Sequence, residues 1–456
     1  MKIDIDRSAE HLAGAIQFKT ISHQDHGKID RKTFLGLHEY LKKIYPKAHR
    51  VMERETVNGL SLLYTWKGGD PAAEPVLLMS HLDVVPVERT TEEAWTHPPF
   101  SGDIADGFVW GRGALDVKNG VIGIMEAVER LVGSGFRPGR TVYLAFGHDE
   151  EVLGNEGAAE ISRILGSRGV RLAYTLDEGG FIRDNIMPGV VKTVALVGIA
   201  EKGYLSLELS ARDAGGHSST PRRRTAAGRI AAALCRLERN PFAARLTSPV
   251  EAMFTCLGAE AAYPYKIAYT GLRFLWPFMK RELAASPQSD AMIRTTIAPT
   301  MLEGSGKENV MPNLVRAVVN LRILQGETRE SVIDRVKKVI NDPGIAIAAR
   351  KNSSDPSPVS GTDSPEYAAL KETIMAVFPG TAVTPFLMVG ATDSRHFAPV
   401  SRQVFRFSPA RIGSGDMARV HGVNERISVD NFAEVISFYT ELIRRTARLK
   451  KLLQPS

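Results

Sequence analysis

Along the first half of the chain, short apolar runs alternate with amphipathic stretches: "PVLLMSHLDVV" is followed by "VIGIMEAVERLV", "TVYLAFG", "AEISRILGS" and "RLAYTL". Short runs rich in β-branched and aliphatic residues read as buried strands, whereas apolar positions recurring at helical spacing read as helices facing a core. Strands alternating with helices predict an α/β fold with a mostly parallel sheet flanked by helices. In such sheets ligands sit beyond the carboxyl ends of the strands.

From about Val194 the pattern changes. "GYLSLELSA" alternates as a half-exposed strand should, the turn-rich "RDAGGHSSTPRRR" follows, and "TAAGRIAAALCRLE" is helical. A second alternating run, "VRAVVNLRI" at 315–323, precedes an amphipathic helix at about 328–340. These two strand–helix pairs predict a smaller α+β lid inserted into the first domain. Between them lies an aromatic-rich insert, 241–296, which reads either as extra core or as a wall for a hydrophobic ligand. After the Ser/Pro/Asp-rich connector "NSSDPSPVSGTDSPEY" the chain returns to helices and strands and closes on "NFAEVISFYTELIRRTARL". The expected organisation is a discontinuous catalytic domain, 1–193 and 354–456, with 194–353 inserted as the lid.

Composition changes this picture little. The formal charge is +7, but the basic residues are scattered apart from Arg222 to Arg224 and the C-terminal "RRTARLKKL". These clusters read as solvated surface, so no nucleic-acid partner is expected. With only Cys235 and Cys256 there is no disulfide framework and no cysteine-rich zinc module. No run reaches the roughly 18 apolar residues of a membrane-spanning helix, and "MKIDIDRSAEHLAGAIQ" lacks an apolar leader core. The expectation is a soluble cytoplasmic protein; secretion would require a leader already removed.

The chemistry gathers at the ends of the apolar runs. His81 and Asp83 stand two apart, so in a strand they project together, and a metal-bound imidazole usually donates its second N–H to a carboxylate such as Asp83. Asp116, in "GRGALDVKNGV", precedes a helix and reads locally as an N-cap. Asp149, Glu150 and Glu151 crowd like charges after another strand, where a cation is expected to compensate them. Asp177 and Glu178 follow a third. Three successive strand ends bearing His/Asp, Asp/Glu/Glu and Asp/Glu converge on the edge where such a sheet places its active site, and together they predict a metal centre. Mixed carboxylates and imidazoles suit zinc, with cobalt or manganese able to replace it. The surplus of acids suggests two ions about 3.5 to 4 Å apart.

These residues resemble the zinc aminoacylase and carboxypeptidase superfamily of co-catalytic metallopeptidases. "SHLDVVP", "GRGALDVK", "GHDEEVLGNEGA", "TLDEGG", "GGHSSTP" and "VHGVNERI" occur in that superfamily's order and span nearly the whole chain. Trp95, the stretch "HPPFSGDIADGFVWGRGALDVK" and the aromatic-rich insert are similar to the carboxypeptidase S branch. That branch includes Gly-X carboxypeptidases and enzymes that hydrolyse, and reversibly form, N-fatty-acyl amino acids.

The resemblance implies that His81, Asp116 and Asp177 hold one zinc and that Asp116, Glu151 and His421 hold the other. It makes Glu150 the general base, Asp83 the group that orients His81, and His217 an oxyanion stabiliser, often across a homodimer formed through the lid. Asn313, Arg322 and the 390–397 loop, with Gly390 and Thr392, match substrate-contacting positions. Ala391 departs from a pattern that usually has two glycines before the threonine. A cis peptide is implied after Asp116. The expected activity is hydrolysis of small-molecule N-acyl amino acids, fatty-acyl ones being favoured by the apolar 250–280 region. The alternatives are a carboxypeptidase or dipeptidase acting on short peptides and, from another class, a zinc-stabilised binding protein without catalysis.

Overall fold

The computed structural model describes residues 3–447 apart from Ser414, so Arg448 to Leu452 of the C-terminal basic cluster lie outside the described residues. Its centre is an eight-stranded sheet in the spatial order Glu53–Val57, Ser61–Trp66, Val142–Gly147, Val76–His81, Leu172–Arg183, Ser401–Arg411, Val194–Glu201, Ala382–Met388. The four strands from Val142–Gly147 to Ser401–Arg411 run parallel. The first two strands pair antiparallel, and Val194–Glu201 opposes its neighbours Leu172–Arg183 and Ser401–Arg411. The α/β architecture is therefore parallel at its centre and mixed at its margins.

Both faces of the sheet are covered, as a run such as Val76–His81, buried at every position, requires. One face carries the helices Ile5–Ile16, Lys118–Gly133, Pro365–Val377 and Val429–Thr446 in a single core with Leu78, Leu144, Phe405 and Phe407. The other carries Ala158–Ser167, whose Ile161 and Leu165 pack with Leu77, Met79 and Phe397. Lys118–Gly133 is buried nearly all round because Val429–Thr446 covers the side that the sheet does not.

A second, antiparallel sheet of four strands, in the order Thr296–Glu303, Leu314–Ile323, Gly203–Arg212, Ile345–Ala349, lies under the helices Ala226–Arg239 and Arg329–Ile340. Its alternation is literal. Leu205, Leu207, Leu209 and Ala211 point into the core, and Tyr204, Ser206, Glu208 and Ser210 lie on the other face.

Two boundaries differ from the sequence expectation. Val194–Glu201 belongs to the large sheet, not to the inserted one, and the alternating pattern begins only at Gly203. "VALVGIAE" is continuously apolar up to its last residue, as a strand buried on both faces should be. The helices of the 241–296 insert, from Ser248–Glu260 to Pro287–Ile293, pack not on the four-stranded sheet but on the margin of the large one. There Val250, Phe254 and Leu257 share a core with Val194, Ala200 and Leu387. No helix among the described residues is long and apolar enough to cross a membrane.

The packing of Lys118–Gly133 on Val429–Thr446 generates a stability prediction. A Cβ at Gly123 would stand 2.7 Å from Val435 Cγ1 and 3.5 Å from the Tyr439 ring. Gly123→Leu should therefore force the two helices apart and cost about 1–3 kcal/mol, read as a lower denaturation midpoint. An unchanged midpoint would contradict the close approach.

Candidate metal centre

The cluster forms where the parallel strands Val76–His81 and Val142–Gly147 end. His81 terminates Val76–His81 and is 1% exposed. Its Nε2 lies 3.2 Å from Asp116 Oδ1, 3.5 Å from Glu178 Oε1 and 4.0 Å from Glu150 Oε2. On the other side of Asp116, His421 Nε2 lies 2.8 Å from Oδ2 and 3.2 Å from Glu151 Oε2. Two ligand-competent triads, His81/Asp116/Glu178 and Asp116/Glu151/His421, thus share one carboxylate.

Glu178, not Asp177, stands with His81 and Asp116. The strand Leu172–Arg183 does not end at these acids but continues through them, so the two side chains fall on opposite faces. Asp177 turns away: its Oδ1 accepts from the Glu178 amide at 2.9 Å and its Oδ2 from the Ser394 amide at 2.7 Å. The placement expected for Asp177 is therefore corrected to Glu178, and the pleat is the reason.

The three adjacent acids also divide. Asp149 Oδ1 and Oδ2 accept from the Gly157 and Glu156 amides at 2.9 and 2.8 Å, closing a turn, while Glu150 and Glu151 face the cluster. Asp83, fully buried, lies beside His81 Nδ1 at 3.3 Å, and the same nitrogen donates to the Asp83 carbonyl at 2.9 Å. Asp83 does more than its spacing indicated, since its two oxygens accept from the Glu150 and Glu151 amides at 3.2 and 3.1 Å. One side chain thereby fixes the imidazole of one strand end to the acidic loop of the next.

A second anchor, Glu425, escaped the sequence reading although it lies within "VHGVNERI". It is fully buried, and its Oε1 accepts from the amides of Gly113, Leu115 and Asp116 at 3.0, 2.7 and 3.0 Å. Its Oε2 meets Arg112 Nη1 at 2.7 Å, and Arg112 Nη2 donates to the His421 carbonyl at 3.1 Å. The Asp116 loop is thus tied to the His421 loop. The peptide between Asp116 and Val117 is cis. Spacing four after a candidate histidine was the only sequence signal for Glu425.

Burial sets the electrostatics. It pushes Glu150 well above the usual carboxyl range, and Glu178 up to about 7 with the charge of Asp116 adding to it. Burial would also raise Asp116, but hydrogen bonds from His421 and His81 outweigh it and hold that carboxyl low. The same contacts to Asp116 and Glu151 lift His421 to about 10. Burial alone would lower His81, yet Asp116, Asp83 and Glu178 together raise it well above its ordinary value. The four crowded acids carry like charge that a cation would offset, and Glu151 Oε1 is buried with no hydrogen-bond partner. The donor set fits divalent cations that accept nitrogen and oxygen ligands.

The remaining expected residues stand outside this cluster. His217 is exposed on the short Gly216–His217 strand and bonds Ser219 Oγ at 2.8 Å. Asn313 is exposed near Gly215. Arg322 is half-buried over the Tyr204 ring at 4.8 Å, within electrostatic reach of Arg395 in the 390–397 loop. Gly390 is half-buried at the start of that loop. Thr392 is buried and donates through its amide and hydroxyl to Glu201 Oε2 at 3.3 and 3.1 Å, where Arg406 Nε also donates at 2.8 Å. Thr392 therefore anchors the loop internally.

The chain is similar to known proteins in both sequence and fold. The model of peptidase family M20/M25/M40 matches residues 77–445. Probable carboxypeptidase S-like 2 of Dictyostelium discoideum is 39% identical over 444 residues, covering 96% of this chain and 85% of the relative. N-fatty-acyl-amino acid synthase/hydrolase PM20D1 of Homo sapiens is 38% identical over 441 residues, covering 95% and 87%. Among solved structures, the M20 family metallo-carboxypeptidase Sso-CP2 from Sulfolobus solfataricus superimposes with a TM-score of 0.72 at 18% identity, covering 96% of this chain and 99% of that one.

The anchor is tested by Glu425→Ala. It leaves Arg112, whose side chain is 3% exposed, as an uncompensated buried charge, and should lower stability by about 3–5 kcal/mol in chemical denaturation. A loss below about 1 kcal/mol, the scale of a surface pair, would refute the buried role.

Proposed function

Because the chain belongs to peptidase family M20/M25/M40, we propose that it is a di-zinc hydrolase that cleaves the amide bond of N-acyl amino acids bearing a free carboxylate. The observation that carries this reading is Asp116, whose two oxygens face separate imidazoles while Glu150 stands beside them. His81, Asp116 and Glu178 would hold one ion, and Asp116, Glu151 and His421 the other. Zinc suits this donor set, with cobalt or manganese able to replace it. When bound, the metals polarise the scissile carbonyl and lower the pKa of the attacking water.

The chain's own residues do the rest. Glu150 takes a proton from water as the new carbon–oxygen bond forms, and returns it to the nitrogen as the carbon–nitrogen bond breaks. Its burial favours the protonated form needed between those steps. Asp83 holds His81 Nδ1, so that Nε2 faces the cluster. Arg322, already half-buried, would pair with the substrate carboxylate. The products are a fatty acid and a free amino acid, and the same steps reversed join them. A homodimer through the four-stranded sheet would let the partner subunit's His217 approach the oxyanion, consistent with its exposure here.

A fatty-acyl substrate is supported by relatives whose names carry that activity, including the human protein described above and one from Xenopus tropicalis that is 38% identical. A second reading, a carboxypeptidase acting on short peptides, is supported by the Dictyostelium relative.

Three substitutions test the chemistry. Glu150→Gln should lower kcat by about 10²–10⁴-fold while bound zinc is unchanged. Glu178→Gln should reduce the zinc content, and Asp177→Asn should leave it intact; the reverse pattern would return Asp177 to the ligand set. The substrate class is tested separately, on a panel of N-acyl amino acids of increasing chain length alongside dipeptides. Rates should rise with acyl length, and equal rates on short and long chains would remove the fatty-acyl assignment.

A further inference from the structure

The outer side of the 241–296 insert is not explained by the catalytic cluster. Tyr265–Thr270 and Leu272–Leu283 join with only Gly271 between them. The Gly271 amide bonds the Ile267 carbonyl and the Leu275 amide bonds the Gly271 carbonyl, so helical hydrogen bonding carries across the junction. One side of this combined helix is core, with Tyr269, Leu272 and Leu283 packed against the large sheet's margin.

The opposite side is apolar as well, and it is bare. Ile267 is 58% exposed, Phe274 89% and Phe278 72%, and Tyr263, 80% exposed, stands just ahead of the helix. At about 100° per residue, Ile267, Phe274 and Phe278 fall within an arc of about 40°. The bridge between Val190 and Ala261 brings Val191, 85% exposed, to the same end. A surface helix normally has one apolar stripe, and a second one in water signals a docking face.

The charges indicate what docks. Lys266, Arg273 and Lys280 recur every seventh residue along one flank of the bare stripe, and Arg281 lies at its end. Residues 261–281 contain no aspartate or glutamate. Arg273 approaches Glu251 at 3.7 Å, yet its side chain remains 79% exposed. Aromatic side chains on one face with a cationic row beside them are the pattern of a helix lying in the interface of an anionic bilayer.

We propose that the helix pair Tyr265–Leu283 is a membrane-docking surface that lays Ile267, Phe274 and Phe278 into an anionic phospholipid leaflet, with Lys266, Arg273 and Lys280 against the head groups. This assignment concerns the surface alone and does not depend on the substrate proposed for the metal centre.

Co-sedimentation of the full chain with vesicles of phosphatidylcholine, and of phosphatidylcholine with about one-third phosphatidylglycerol, tests it. The protein should pellet with the anionic vesicles and be released by high salt. Phe274→Ser combined with Phe278→Ser, and separately Lys266→Glu with Arg273→Glu and Lys280→Glu, should each reduce binding by about tenfold or more. All five changes are on exposed side chains, so an unchanged melting temperature is the control, and single Phe274→Ser replaces any variant that fails it. Failure to bind either vesicle, equal binding to both, or variants that bind like the wild type would overturn the proposal. So would a dimer, seen in sedimentation velocity without lipid, that the two phenylalanine substitutions dissolve, since the face would then belong to a second copy.

Discussion

Everything in the candidate centre depends on one carboxylate placed between two imidazoles. Asp116 lies 3.2 Å from His81 and 2.8 Å from His421, residues that enter from opposite ends of the chain. Such a group holds position only if its backbone is fixed independently of the charges it faces. Glu425 does this through three amides, and its ion pair with Arg112 extends the same restraint to the His421 carbonyl. Asp83 performs the corresponding task for His81 and the Glu150–Glu151 loop. Both anchors are fully buried, and an acid that accepts several amides there keeps the loops it gathers from drifting.

The acids that turn away from the cluster organise its surroundings. Asp177 receives the Ser394 amide, and Thr392 Oγ1 lies 2.7 Å from Ser394 Oγ and donates to Glu201. Glu201 is paired with Arg406, which is completely buried. Glu201 also ends the last strand of the large sheet before Gly203 begins the four-stranded one. A continuous polar path therefore joins the strand that faces the cluster, the 390–397 loop and the point where the chain leaves one sheet for the other.

The insert shows how composition alone misleads about position. Its density of aromatic and aliphatic residues reads as core or as a ligand wall, and one half of that is present: Phe254, Leu257 and Tyr269 close the margin of the large sheet. The other half faces water, because a single helix layer against a sheet edge has nothing stacked upon it.

The sequence by itself determined the α/β class, the alternation of the inserted sheet, the family and most of the acids and histidines that meet at the centre. Strand and helix periodicities are local, and the motif order survives in one dimension. It did not determine which of Asp177 and Glu178 faces His81, because adjacent residues of a strand differ by half a pleat and only the continuation of that strand to Arg183 settles the side. Nor did it reveal Glu425, whose partners lie some three hundred residues earlier, or that Val194–Glu201 joins the large sheet. Those are decided by which distant segments the packed core brings together, since a buried acid acquires its role only from the amides and charges that burial leaves within reach.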